Sequence, residues 1–348
     1  MCRRVGHKRL MRLRACVLLF SLLLPLTLAR SERLPVKFYT TSDGNAQQKA
    51  DFNIALGTLK FATGETSKTV SIFVTDDAYV EGGETFTLTL SSPTRATLGA
   101  NSSSIVMIAD NDQAQSANNP VDGTEFFVRQ HYVDFLNREP EPGGFQGWKD
   151  ILKNCAPGDP KCDRIEVSSA FFRSEEFQTR GYFVYRFYEA SLGRAPHYLE
   201  FMADLRRVTG FLNSQQLETE KADFAKDFMA QQEFKDKYDT ILDPAAYVDA
   251  LAATAGVTLA NRDALVQDLQ TNQKTRAEVL RAVAESPEVT GKFFNKAFVV
   301  MQYFGYLRRD PDILYLEWIK TMDQNGGDYR IMVNGFLNSV EYRQRFNQ

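Results

Sequence analysis

The stretch Val74-Thr-Asp-Asp-Ala-Tyr-Val-Glu-Gly-Gly-Glu-Thr-Phe86, answered further on by Ile108-Ala-Asp-Asn-Asp112, decides the fold of the N-terminal third of the chain. Each acidic cluster stands at the end of an alternating apolar run, where hard oxygen ligands can converge on a calcium ion. Working outward, the period-two pattern extends from Val36 to Ile108, with Gly, Asp and Asn at its breaks. Leu59 and Phe61 lead into Thr-Gly-Glu. Val70, Ile72 and Val74 alternate with polar residues, as do Phe86, Leu88 and Leu90, then Val106 and Ile108. Each set predicts one buried face of an antiparallel sheet, as in a sandwich.

Upstream of this region the composition changes. Residues 1–29 hold six Lys/Arg and no acid, and the apolar run Ala15–Leu28 ends at the small residue Ala29. A basic start, a short apolar core and a small-residue exit predict an export signal peptide over 1–29, with an uncleaved membrane anchor as the rival reading. Without it, the formal charge of −3 for the 348 residues becomes −9 for residues 30–348. That balance offers no electrostatic footprint for nucleic acid. Cys155 and Cys162 remain, flanking Ala-Pro-Gly-Asp-Pro-Lys. In an oxidising compartment this turn-rich pair predicts a disulfide; no second Cys/His pair completes a zinc site.

The phrases Tyr39-Thr-Thr-Ser-Asp-Gly-Asn-Ala46, Asp51-Phe52, Gly57-Thr-Leu-Lys-Phe61, Gly64-Glu65, Asp76-Asp77…Glu81…Glu84-Thr-Phe and Asp110-Asn-Asp112 resemble the Calx-beta domain, an immunoglobulin-like sandwich. The resemblance covers residues 34–112. It implies a calcium site whose ligands, carried over by position, are Asp51, Asp76, Asp77, Glu81, Asp110 and Asp112. Clustered carboxylates repel one another until a cation neutralises them, so the chemistry agrees with the resemblance. The competing expectation is that these acids punctuate turns and keep sheet edges soluble. The family opens with two further strands, which the leader-like segment displaces here. The sandwich is therefore expected to be incomplete, with an open edge able to recruit a second copy by strand addition and a weak Ca2+ site.

From 113 to 123 the chain reads as a polar linker, and beyond it the period becomes helical. Phe127-Val-Arg-Gln-His-Tyr-Val-Asp-Phe-Leu-Asn-Arg-Glu-Pro140 returns from Phe183 to Pro196 and from Phe298 to Pro311, with Phe, Val, Tyr, Leu, Arg and Pro coincident. A closing phrase containing Ser174, Gln231, Ser286 and Ser339 recurs at spacings of 57, 55 and 53. Four helical units follow, near 125–180, 181–240, 243–292 and 294–348, the third divergent. Their aromatics fall on core-facing stripes, and the recurring Arg138, Arg194 and Arg309 are expected to cap helix ends or tie a loop to an acid. The units resemble the bacterial domain-of-unknown-function family 4214, similar to phycobilisome linker domains. That resemblance implies no catalytic residues.

Neither histidine of the exported chain, His131 or His197, has a partner set for a nucleophile or metal. His131 is replaced by Phe187 and Gln302 in the other units, which suggests a packing or surface position. The sequence thus predicts a multidomain, non-enzymatic, secreted or cell-surface bacterial protein: an all-β immunoglobulin-like antiparallel sandwich, then an all-α repeat region. Its expected partners are a surface protein or an extracellular polymer, with membrane association only if the N-terminal segment is retained. Two alternatives stay open: an extracellular carbohydrate-binding protein or glycan-active enzyme, and an eroded adhesin fragment that binds no calcium.

Overall fold

In the computed structural model the chain is described for residues 17–23, 36–77, 79–94, 96–112 and 118–346, with only the backbone considered at 17–23, 36 and 37. Six strands come first: β1 (Val17–Leu23), β2 (Val36–Ser42), β3 (Leu56–Lys60), β4 (Ser67–Phe73), β5 (Glu84–Thr94) and β6 (Ser103–Ile108). They form two antiparallel sheets, β3-β2-β5-β6 and β1-β4. Alternation decides which faces meet. Val70 and Ile72 of β4 are buried against Phe86, Leu88 and Leu90 of β5 and Val106 of β6 in one cluster with Phe52 and Phe61. Phe52 stacks on Phe86 with ring centroids 4.1 Å apart.

Strand β1 lies inside the run read as an export leader, and pairs with β4 from Val17↔Phe73 to Leu23↔Ser67. It occupies a position the sequence reading left vacant. The opposite side of β4 is held by the turn before β3: the Asn53 N–H donates to the Phe73 carbonyl (2.7 Å) and the Thr75 N–H to the Asp51 carbonyl (2.8 Å).

An all-α domain follows. Its helices are α1 (Thr124–Leu136), α2 (Pro142–Asn154), α3 (Arg164–Arg173), α4 (Glu175–Thr179), α5 (Gly181–Phe187), α6 (Tyr198–Val208), α7 (Ser214–Met229) and α8 (Gln232–Tyr238). Then come α9 (Pro244–Ala255), α10 (Arg262–Gln270), α11 (Arg276–Ala284), α12 (Pro287–Gln302), α13 (Tyr315–Gln324), α14 (Arg330–Leu337) and α15 (Val340–Gln344). The repeated phrase makes α1, α5 and α12, and the last two continue into π-helical turns at Tyr188–Leu192 and Tyr303–Leu307. The three end on residues in the left-handed region: Asn137 (φ 49°), Gly193 (φ 77°) and Arg308 (φ 50°).

Just beyond each end, the recurring arginine ties its loop to the closing phrase of the same unit. Arg138 reaches Glu176 at 2.6 Å, Arg194 reaches Glu233 at 2.7 Å and Arg309 reaches Glu341 at 2.7 Å. Each guanidinium also covers the repeated tyrosine, Tyr132, Tyr188 or Tyr303. In the divergent unit there is no such arginine; Glu288 accepts instead from the Ala260 N–H at 3.0 Å. The serines at 174, 286 and 339 are N-caps, each accepting from the backbone N–H three residues on. Cys155 and Cys162 form a disulfide between α2 and α3.

The two domains share an interface. Ile54 and Leu56 are buried in the helical core, not in the sandwich. Arg206 of α6 donates to the carbonyls of Ser71 (2.9 Å) and Ile54 (3.0 Å), and Arg129 of α1 to that of Val74 (3.1 Å). Asn53 donates to the Val133 carbonyl at 3.3 Å. Of the stretch read as a linker, 113–117 lie outside the described residues. Pro120–Asp122 form a 3-10 turn whose Val121 is buried in the helical core and whose Asp122 pairs with Arg343.

Candidate metal centre

Three loops at one end of the sandwich bring the acids together. The turn 47–53 carries Asp51; the loop from Thr75 to Gly83 carries Asp76, Asp77 and Glu81; residues after β6 carry Asp110 and Asp112. Local chemistry sets each loop. Asp51 Oδ2 accepts from the Gln47 N–H at 2.6 Å, closing its own turn. Asp77 Oδ1 accepts from the Tyr79 N–H (2.9 Å), and Asp110 Oδ1 from the Asp112 N–H (2.8 Å), both Asx turns. Asp110 Oδ2 accepts from the N–H groups of Glu81 (3.0 Å) and Gly82 (2.8 Å), stapling the second loop to the third. Asn111 donates to Asp76 at 3.3 Å.

All six sequence-predicted residues line one cavity of about 30 Å³. That is room enough for an occupant the size of a water or an ion. The tightest grouping differs from the expected set. Oxygens of Asp51, Glu81 and Glu84 lie within 4.8 Å of one another, a cluster able to hold a metal ion. Glu84 was not among the expected ligands, yet its signal is in the sequence. It shares strand parity with Phe86, Leu88 and Leu90, which face inward on β5. A carboxylate at an inward-facing position at the mouth of a strand needs a partner.

The electrostatics are those of crowded acids. Burial, then the charges of Asp112, Asp51 and Asp76, push Asp77 up to about 6 against the pull of the Tyr79 N–H. Burial, then Asp77 and Asp51, push Glu81 up to about 7. Glu84 rises to about 7 through burial, the Asp51 charge and a hydrogen bond that places its proton against the Asp51 carboxylate. Asp51 is raised by burial, opposed by the Gln47 N–H, Glu84 and the Arg308 charge. Asp112 is raised by burial and by Asp110 and Asp76. Asp110 alone is lowered, by the N–H groups of Asp112 and Gly82. The donor set is carboxylate-rich and crowded. It fits a hard divalent cation, calcium above all, which would displace the shared protons.

Elsewhere, His131 is buried with a fixed tautomer. Its Nδ1 lies 2.8 Å from the Phe127 carbonyl, which only accepts, so Nδ1 carries the proton. Nε2 then accepts from Ser168 (2.9 Å), whose oxygen is bonded in turn to the Tyr306 hydroxyl. His197 is largely exposed beside Asp310. Neither belongs to the acidic cavity.

The family model of the Calx-beta domain matches residues 25–112. The adhesion G-protein coupled receptor V1 of Danio rerio is 36% identical over 104 residues, 30% of this chain and 2% of that protein. The chain thus spans only a small fraction of that relative's length. Among solved structures, the calcium binding domain CBD12 of CALX1.1 is similar at 31% identity and a TM-score of 0.23, covering 24% of this chain and 37% of that one. The apo form of the Calx CBD1 domain gives 32% identity and a TM-score of 0.23, over 23% of this chain and 73% of that one. The family match marks residues 25–112, the β domain, as similar to a Calx-beta domain. Among the described residues, no helix is long and apolar enough to cross a membrane.

Proposed function

We propose that the chain is a non-enzymatic secreted or cell-surface protein in which Ca2+ binds the acidic cavity and stiffens the three loops. The helical domain, whose repeats resemble the 4214 family, then serves as an interaction or assembly module for a surface protein or an extracellular polymer. The observation that carries the calcium reading is the trio Asp51, Glu81 and Glu84 within 4.8 Å, inside a cavity lined by further carboxylates. In calcium's absence Asp77, Glu81 and Glu84 hold protons at pH values where free carboxylates do not. The Calx-beta match over residues 25–112 supports it independently.

For the helical domain, the burial of its tyrosines favours an interaction module over a sugar-stacking groove. Tyr182, Tyr185, Tyr188, Tyr238, Tyr247, Tyr306 and Tyr342 are all enclosed, and Trp148 and Trp318 pack against the core. Thermal melting of the full chain in chelator and in millimolar Ca2+ tests the calcium reading. A melting rise of several degrees that a Glu81→Gln/Glu84→Gln variant loses is expected; at a hundredfold excess over Kd the added stability is about 2.7 kcal/mol. Superimposable melts would sink it.

A further inference from the structure

The turn that presents Asp51 is held on its far side by the helical domain. Arg308 Nη1 donates to the carbonyls of Gln48 (2.7 Å) and Phe52 (2.9 Å), and Arg345 Nε donates to that of Lys49 (3.0 Å). Both guanidiniums converge on Asp134 of α1, each at 3.0 Å from its Oδ1, and all three side chains are at most 3% exposed. Arg345 also donates to the carbonyls of Gly305 (3.1 Å) and Tyr306 (2.7 Å). One carboxylate faces two guanidiniums, so the remaining positive charge is met by backbone oxygens of both domains. A buried network of this kind holds one geometry or fails.

Backbone conformation at Arg308 points the same way. The equivalent residue is Asn137 in the first unit and Gly193 in the second, types that tolerate the left-handed region all three occupy. Arginine does not favour it, and a non-glycine residue held there marks a site where something else fixes the conformation. Here that is the fork of bonds onto the turn.

We infer that Arg308, with Arg345 and Asp134, is a positioning residue of the cation site, acting through the 47–53 turn to hold Asp51 at the mouth of the acidic cavity. This rests on the calcium reading above and adds to it that the site is built by both domains. A cation seated on Asp51 finds its loop already ordered, so the ordering cost is met within the folded chain and not by the cation. Coupling is reciprocal: what the helical clamp contributes to cation affinity, the cation returns to the clamp.

The experiment uses the full chain and Ca2+ itself. Arg308→Asn places the first unit's own residue at the left-handed position, so the helix end keeps its cap while the fork is lost. Arg309→Asn is the control, since it breaks the pair with Glu341 and touches no part of the turn. Calorimetric Kd values are expected to weaken roughly tenfold for Arg308→Asn, the range for residues that orient a metal ligand, and to stay within twofold for Arg309→Asn. In the unsubstituted chain, Ca2+ should slow amide exchange at residues 303–308 and 342–346 as well as in the acidic loops. Binding with an unchanged Kd in Arg308→Asn, or exchange protection confined to the β domain, overturns the inference while leaving the calcium reading intact. Absence of binding to the unsubstituted chain overturns both. If Arg308→Asn does not fold, the exchange experiment on the unsubstituted chain decides alone.

Discussion

Replacing His131 by glutamine should remove a specific, calculable part of the protein's acid sensitivity. Burial holds this imidazole down at about 4, against an ordinary 6.5, with the Phe127 carbonyl and the Asp134 charge pulling the other way. The folded-state value lies below the unfolded one, so the unfolded chain binds the extra proton between these limits. The contribution to stability is present above pH 6.5 and is lost as pH falls toward 4. Between pH 7 and pH 5 the loss comes to about 2 kcal/mol. Glutamine is the substitute because the chain itself uses it: Gln302, at the equivalent position, donates to the Phe298 carbonyl at 3.0 Å as His131 does to Phe127. The acidic cavity titrates in the same window but in the opposite sense. Its raised carboxylates favour the cation-free fold at low pH and lose that contribution as pH rises through about 6 to 7. The assay is therefore a difference of differences, from urea unfolding of both proteins in chelator at pH 7 and pH 5. The variant should lose about 2 kcal/mol less than the parent over that interval. Equal losses, or an imidazole titrating near 6.5 by NMR, would refute the reasoning.

Calcium affinity should rise from pH 6 to pH 8 as Asp77, Glu81 and Glu84 shed protons, and calorimetry in buffers of different ionisation enthalpy should register proton release on binding. Phe52→Ala should cost about 3–5 kcal/mol by emptying the stack on Phe86 beneath the acidic turn, read by denaturant unfolding. Cys155→Ser, opening the disulfide that closes a short loop between α2 and α3, should cost about 2 kcal/mol, with far-ultraviolet dichroism unchanged. A double-mutant cycle on Arg194 and Glu233, a half-exposed pair, should give a coupling below about 1 kcal/mol.

Much of the β domain was legible because a strand face is a period-two statement. Val70, Ile72, Phe86, Leu88, Leu90 and Val106 alternate in sequence and are all buried in one cluster. The cavity was legible for a similar reason: acids at strand ends lie where loops converge, and all six expected residues line it. Glu84 stands in the resembling phrase but outside the expected ligand set, although its parity with Phe86 places it inward. The interface was not legible. Arg308, Arg345 and Asp134 look like ordinary surface charges, and Arg308 meets Gln48 across 260 residues of sequence. Period and spacing carry no information over that range. The one local hint was an arginine where the other units place asparagine and glycine.

The most direct test is a calorimetric titration of the full chain with Ca2+ at pH 7.5, beside the Glu81→Gln/Glu84→Gln variant. Saturable binding that the variant loses, with Mg2+ a poor competitor, is the result predicted by a crowded carboxylate site. A flat trace on folded, unsubstituted protein would contradict the central claim, leaving the acids as solvated turn residues and the function with the helices.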